Sequence, residues 1–289
     1  MDLTLKAMEV ERMRQTVTEN NDRIEKLETL KTVLGGYQKA AVAFSGGVDS
    51  TFLLGVAREV LGERVIAVTA IASFISSREV GEARDFAASL GVRHEIIEVD
   101  LGDISLFEEN PPDRCYHCKK ALFSRILAVA EGLECEVVMD ASNTDDTKDY
   151  RPGMKALYEL EIKSPLREAG FAKSDVRAVS KELGFPGYDR PAAACLASRI
   201  PFGEDITEAK LQRVELAEAV LASEGFRVNR VRVHGDLARI EVAPEKLDDL
   251  ADYAMRARIS ERLRDLGFRY ITVDIEGYRM GSLNESLDI

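Results

Sequence analysis

The sequence predicts an α/β protein: a doubly wound parallel sheet followed by a smaller α+β domain. Three observations carry this. Short apolar runs alternate with helix-period segments from about residue 40 to residue 140, the order that builds a parallel sheet covered by helices. A glycine turn, AFSGGVDSTF, joins the first apolar run to the first of these helices. From about residue 205 the order becomes helix, two strands, helix, strand. The expected division is residues 1–204 and residues 205–289.

The elements follow in chain order. Leu5 to Leu34 reads as a charged helical lead-in packed on the domain edge. Ala40–Phe44 is short and wholly apolar, a buried strand. Val48, Phe52, Leu53, Val56 and Val60 then recur at helical spacing. Next come a strand Val65–Ala70, a helix Ser77–Leu90, a strand His94–Val99, a helix from about Lys119 to Ala130 and a strand Val137–Asp140. Ser164 to Gly184 reads as a short connection and a helix, with Ser174 and Asp175 as capping candidates. In the second domain Thr207–Ser223 is helical, Val228–Val233 and Ala238–Val242 form a hairpin around His234, Gly235 and Asp236, Leu247–Leu266 is helical and Tyr270–Ile275 is a strand. Its strands are expected to be antiparallel. No repeat or low-complexity tract interrupts this order.

Composition narrows the function classes. With 289 residues, 45% of them hydrophobic, the chain can bury a sizeable core. A net charge of −12 counts against nucleic acid as the main partner. No apolar run reaches the ~20 residues that span a bilayer, and the charged start MDLTLKAMEVERMRQ lacks a signal-peptide core. A cytoplasmic protein without membrane contact is expected. In that setting the four cysteines favour metal binding or catalysis over disulfides.

The glycine turn is the first chemical signal. Gly46 and Gly47 permit close backbone approach to a ligand, and the unpaired amides of the following helix attract an anion. Ser45, Ser50 and Thr51 add hydroxyls. The lysine of the kinase and GTPase P-loop is missing; Asp49 stands among the hydroxyls instead. Ligands of such sheets sit beyond the strand C-termini, so Ser45, Ala70–Ser73 and Asp140–Asp146 are expected at one crevice. ASNTDDTKDYRPG, after the strand Val137–Asp140, is rich in turn formers and acceptors.

The cysteines are the second signal. In PPDRCYHCKKALF, Cys115 and Cys118 open a helix as a Cys-x-x-Cys pair, which suits zinc, a cluster or redox chemistry. Cys195, in RPAAACLASRIPFG, reads either as a small buried hydrophobe or as a thiolate or anion site helped by Arg199. Cys135 enters a strand and reads as structural. Arg230 and Arg232 alternate on one strand and share a face, with Arg239 and Glu241 on the partner strand; a solvated charged face and an anion site both fit. His94, His117 and His234 give no zinc spacing.

SGGVDS resembles the pyrophosphate loop of the PP-loop ATPases, a HUP-like fold. That resemblance implies ATP cleaved between its α- and β-phosphates, Ser45, Gly46, Gly47, Ser50 and Thr51 around pyrophosphate, and Asp49 on magnesium. Asn143, Asp145 and Asp146 resemble the Asn-x-Asp-Asp segment near the nucleotide, with Val68–Ile71, Ala70 among them, bordering adenine. Leu166, Arg167 and Lys173 resemble the superfamily's Pro-Leu…Lys pattern. SGGVDS, CYHCK, AACLASRIPFG, VNRVRVHGDLARIEV and DIEGYRMGSLNE together resemble the LarE family, sulfur transferases that build the nickel-pincer nucleotide of lactate racemase.

The family resemblance implies AMP-forming thiolation of pyridinium-3,5-biscarboxylic acid mononucleotide, a small-molecule nucleotide. It implies Cys115, Cys118 and Cys195 as ligands of a 4Fe-4S cluster fed by a sulfide source, and Ser198, Arg199, Arg230, Arg232 and Glu241 at the substrate. It also implies a homo-oligomer, a hexamer by family expectation. Glu218 and Asp249 are weaker carry-overs. Some members instead sacrifice the sulfur of the cysteine matched by Cys195; those lack the Cys-x-x-Cys pair. A tRNA thiolation enzyme, an ammonia-using synthetase with structural cysteines and a non-catalytic nucleotide-binding module are the other readings.

Overall fold

The computed structural model describes residues 2–147, 152–190, 194–279 and 281–282, with side chains from residue 18 onward. The parts of ASNTDDTKDYRPG, RPAAACLASRIPFG and DIEGYRMGSLNE that fall at 148–151, 191–193, 280 and 283–285 lie outside the described residues. The chain forms two compact units. One comprises residues 1–70, 79–97 and 122–190, the other residues 71–78, 98–121 and 191–289. This grouping by contact differs from a single cut after residue 204, because segments 71–78, 98–121 and the stretch from 191 are counted with the C-terminal residues.

The first unit is built on α1 (Asp2–Gly35), β1 (Ala40–Ala43), α2 (Val48–Leu61), β2 (Val65–Ile71), α3 (Ser77–Ser89), β3 (Arg93–Glu98), the later part of α4 (Arg114–Gly132), whose residues 114–121 are counted with the second unit, β4 (Val137–Met139), α5 (Gly153–Glu159), α6 (Pro165–Glu168) and α7 (Lys173–Glu182). The strand order is β3-β2-β1-β4. β1 runs parallel to both neighbours, with Ala40 opposite Val65 and Val137. Successive residues of β1 face opposite layers. Ala40 and Val42 join Leu30 and Leu34 of α1, Phe52 of α2 and Val176 of α7. Ala41 joins Ile66, Val68 and, from α4, Phe123 and Ile126. Apolar layers on both faces make the sheet doubly wound, as expected.

The order also locates a crevice. From β1 the chain steps to β2 and β3 on one side and then returns to β4 on the other. The C-terminal ends of β1 and β4 therefore flank the point where the winding reverses, where such sheets bind ligands. Ser45 follows β1 there, and Asp140–Asp146 follows β4.

The second unit contains α8 (Glu208–Ser223), β5 (Asn229–His234), β6 (Leu237–Val242), α9 (Tyr253–Asp265) and β7 (Tyr270–Val273). β5 and β6 are antiparallel, but β6 and β7 are parallel. This corrects the all-antiparallel expectation. A tight turn joins the first pair, whereas α9 carries the chain back across the sheet before β7, and such a crossover returns a strand in the same direction. The helix expected over Leu247–Leu266 is also divided. A single turn, Asp248–Ala251, precedes Asp252, whose Oδ1 accepts the Met255 N–H at 2.6 Å and starts α9 anew. Asp175, not Ser174, serves the start of α7: its carboxylate accepts the Ala172 N–H at 3.1 Å. Among the described residues no helix is long and apolar enough to cross a membrane.

Candidate active site

In the first unit the glycine turn is knitted by its own hydroxyls. Ser50 Oγ donates to Gly47 O at 3.0 Å and lies 3.1 Å from Ser45 Oγ. The Thr51 N–H donates to Gly47 O at 2.9 Å, closing the first turn of α2. Gly46 has φ +75°, and a Cβ there would stand 3.0 Å from Glu79 O and 3.2 Å from Ala83 Cβ. Only glycine meets both demands. Ser45 stays exposed at the mouth of the turn, and Ala70, the second-last residue of the neighbouring strand β2, is only partly covered.

The acidic loop after β4 is tied to α7. The Lys173 N–H donates to Asp145 Oδ2 at 2.9 Å, and Lys173 Nζ donates to Asp49 Oδ2. Asn143 Oδ1 accepts the Asp145 N–H at 3.0 Å, and Asp146 Oδ2 accepts the Asn143 N–H at 2.9 Å. Lys173 thus joins the glycine turn to the acidic loop. Burial pushes the Asp49 carboxyl up, Lys173 opposes that, and the negative charge of Asp146 adds to it. Asp49 Oδ1 is buried with no hydrogen-bond partner among the described residues. An orphaned carboxylate oxygen beside a second carboxylate suits a hard divalent cation such as magnesium. Asp140, which closes β4, accepts from Ser142 Oγ and, at 2.6 Å, from Ser164 Oγ. This is a buried carboxylate with one local hydroxyl partner, Ser142, and one that the fold brings in, Ser164.

In the second unit Cys115 and Cys118 lie on the first turns of α4, and Cys195 precedes a single turn, Leu196–Arg199. Cys115 and Cys195 are exposed, Cys118 partly so. Burial pushes the Cys118 thiol well up, and the charges of Cys195 and Cys115 push it further. The three sulfurs are therefore electrostatic neighbours. Arg114 feels all three: burial lowers its pKa and Cys115, Cys195 and Cys118 raise it. The sequence reading did not single out Arg114; its only local signal was a basic residue directly before Cys115. Cys135 lies in the first unit, partly buried. Among the described residues no three His, Cys, Asp or Glu side chains group as ligands of one metal ion. A single zinc needs such convergence; a cubane takes each thiolate on a different iron.

The arginine-rich strands of the same unit are buried. Arg230, Arg232 and Glu241 are 8%, 5% and 1% exposed, which disposes of the solvated-face alternative. Glu241 receives two parallel hydrogen bonds of 2.9 Å from Arg232 and one of 3.1 Å from Arg239. Arg230 lies over the Tyr278 ring, 5.0 Å from its centroid. Arg199 makes a bidentate pair with Glu218 at 2.8 and 3.0 Å. Its remaining nitrogen donates to Ala194 O, Cys195 O and Ser198 Oγ at 2.6, 2.9 and 2.9 Å. Arg199 thus holds Cys195 through its carbonyl oxygen. Arg232 holds the same segment by donating to Ser198 O at 2.7 Å. Asp249 faces solvent, paired with Lys246 at 2.7 Å.

The family model described as queuosine biosynthesis protein QueC matches residues 39–112, from β1 to just before the cysteine pair. An uncharacterized protein of Synechocystis sp. is 40% identical over 91% of this chain and 98% of its own length. The pyridinium-3,5-bisthiocarboxylic acid mononucleotide synthase of Lactiplantibacillus plantarum is 38% identical over 91% of this chain and 95% of its own length. An uncharacterized protein of Methanocaldococcus jannaschii is 30% identical over 84% of this chain and 91% of its own.

Proposed function

The chain belongs to the LarE family of pyridinium-3,5-bisthiocarboxylic acid mononucleotide synthases, and from that premise we propose that it spends ATP to convert carboxylates of pyridinium-3,5-biscarboxylic acid mononucleotide into thiocarboxylates. It is a PP-loop enzyme of sulfur transfer in pincer-cofactor biosynthesis. The observation that carries the finer reading is the joint of Asp49, Lys173 and Asp145 at the start of α2.

Each part has a role. The α2 amides and the hydroxyls of Ser45, Ser50 and Thr51 receive the β- and γ-phosphates as pyrophosphate. Asp49, through its free oxygen, and Asp146 would hold magnesium, which would neutralise charge on the departing pyrophosphate. Lys173 is freed for phosphate oxygens once a cation takes its place on Asp49. Ala70 and Asn143 border the nucleotide. A substrate carboxylate oxygen attacks the α-phosphorus and pyrophosphate leaves, giving an acyl-adenylate. Anionic sulfur then attacks the acyl carbon, AMP leaves, and carbon gains sulfur where it lost oxygen. Ser198 and the arginines Arg199, Arg230 and Arg232, ordered by Glu218 and Glu241, shape the anion-binding side of the substrate site.

Cys115, Cys118 and Cys195 would hold a 4Fe-4S cluster, whose fourth iron, free of protein ligands, would supply bound sulfide. The fit rests on the donor set: three neighbouring thiols, not converged on one ion. The exposure of Cys195 favours a second reading in which Cys195 yields its own sulfur and becomes dehydroalanine. About four irons and four acid-labile sulfides per chain, after anaerobic purification, support the cluster. No iron after reconstitution, with loss of sulfur from Cys195 in one turnover, supports the second reading. The function itself is tested by incubating the protein with ATP, magnesium, sulfide and the dicarboxylate. Pyrophosphate, AMP and a product with sulfur replacing oxygen are expected; ADP and phosphate would refute it. A cytoplasmic homo-oligomer accompanies this reading, and a monomer by light scattering would refute the oligomer.

A further inference from the structure

Two cysteine-bearing segments of the second unit are joined by one buried side chain and two backbone hydrogen bonds beside it. Asn110 is fully buried, four residues before the helical position of Arg114 and five before Cys115. Its Nδ2 donates to Pro201 O at 2.7 Å and Glu204 O at 3.0 Å, with Ile200 O at 3.3 Å. Those carbonyls belong to the stretch that directly follows Cys195–Arg199. The Asn110 carbonyl accepts the Gly203 N–H at 3.0 Å, and Glu108 O accepts the Ile206 N–H at 2.8 Å. On the other side, Asn110 Oδ1 accepts from Arg114 NH1. The Arg114 guanidinium stacks on Phe202, 4.4 Å from the ring centroid.

Backbone geometry makes the residue choice specific. Asn110 has φ +53°, a conformation that asparagine tolerates better than most side chains. No other residue combines that tolerance with an amide donor for three carbonyls and an acceptor for a guanidinium. Arg114, only 5% exposed, is held at both its polar edge and its face. It cannot swing away from the sulfurs without breaking both contacts.

We propose that Asn110 and Arg114 are positioning residues that set the register of the Cys195 segment on the Cys115–Cys118 helix. This rests on the reading that the three cysteines act together. Without the brace, the two backbone bonds from Gly203 and Ile206 still tie the following stretch to residues 108–110, but Cys195 itself is held only by Arg199, Arg232 and the Leu196 N–H to Phe74 O contact, none of which reaches α4.

The test uses metal-free protein and dibromobimane, which fluoresces only after bridging two thiols a few ångströms apart. Two backgrounds are compared. One carries Cys118→Ser and Cys135→Ser, leaving Cys115 and Cys195; the other carries Cys135→Ser and Cys195→Ser, leaving the helix pair. Asn110→Asp keeps the backbone preference and the acceptor for Arg114 but removes the donor. It is expected to cut Cys115–Cys195 bridging at least fivefold while the helix pair bridges as before. Arg114→Gln, which disturbs the brace less, should cut it by a smaller factor and serves if Asn110→Asp fails to unfold cooperatively. Unchanged Cys115–Cys195 bridging in a folded variant overturns the brace. Absence of Cys115–Cys195 bridging in the parent overturns the three-cysteine reading instead, and the brace with it.

Discussion

Lys173 donates its Nζ to Asp49 Oδ2 across 124 residues of sequence, while its own N–H is bound to Asp145. One lysine therefore fastens the glycine turn to the acidic loop, and it occupies one of two oxygens that a magnesium ion would want. Lys173→Met is expected to lower substrate-dependent pyrophosphate release about 100-fold or more, the cost of losing one preorganised charge-stabilising donor. Release measured at saturating ATP and magnesium checks it; parental release would remove Lys173 from the phosphate site.

Gly46 gives a second prediction in the same turn. An alanine there is asked to take φ +75° with its methyl 3.0 Å from Glu79 O. The strain is on the order of 1–3 kcal/mol, enough to move the turn. Gly46→Ala should weaken nucleotide binding by about tenfold or more, read by calorimetry, while the thermal midpoint falls only modestly. Parental affinity would mean that the turn does not touch phosphate.

The Arg199–Glu218 pair predicts a stability effect tied to the sulfur site. Arg199 is 3% exposed, so removing its carboxylate leaves a buried charge unpaired. Glu218→Ala should cost about 3–5 kcal/mol, measured by denaturant unfolding. The Val231 N–H, 3.1 Å from Glu218 Oε1, loses its acceptor as well. A change under about 1 kcal/mol would show that water replaces the carboxylate freely.

Asp175 predicts a pH dependence. Burial alone would push its carboxyl up, but hydrogen bonds from Lys26 and the Ala172 N–H outweigh that and hold it below the ordinary 3.8. A depressed folded pKa stabilises the protein above the unfolded value, and the contribution is lost as pH falls through the folded one. Asp175→Asn should therefore cost about 1–2 kcal/mol at pH 7, and the gap to the parent should close below about pH 4. A gap that persists at low pH would assign the loss to packing rather than charge.

The cysteines predict a separation of steps. Cys115→Ser, Cys118→Ser and Cys195→Ser should each abolish repeated sulfur transfer while pyrophosphate release persists, because the phosphate residues belong to the first unit. Normal turnover in any one of them would refute the three-cysteine site.

By itself the sequence determined the parts that depend on local periodicity and local chemistry. The apolar run Ala40–Phe44 could only be buried, and the glycines that follow could only make a tight turn at a helix start. Spacing in CYHC places two thiols one turn apart on any helix. The single break near Asp252 was missed because Leu247–Leu266 keeps helical spacing on both sides of a cap. What tertiary structure decided is long-range. The parallel direction of β7 comes from where α9 returns the chain, not from the strand's own residues. Arg232 and Glu241 look like members of a wet charged face until the strands are covered, and then burial obliges them to pair. Asn110 looks like a loop residue, and its carbonyl partners lie 90 to 94 positions away. Hydrogen-bond partners at that separation leave no trace in local pattern, since folding, not spacing, brings the groups together.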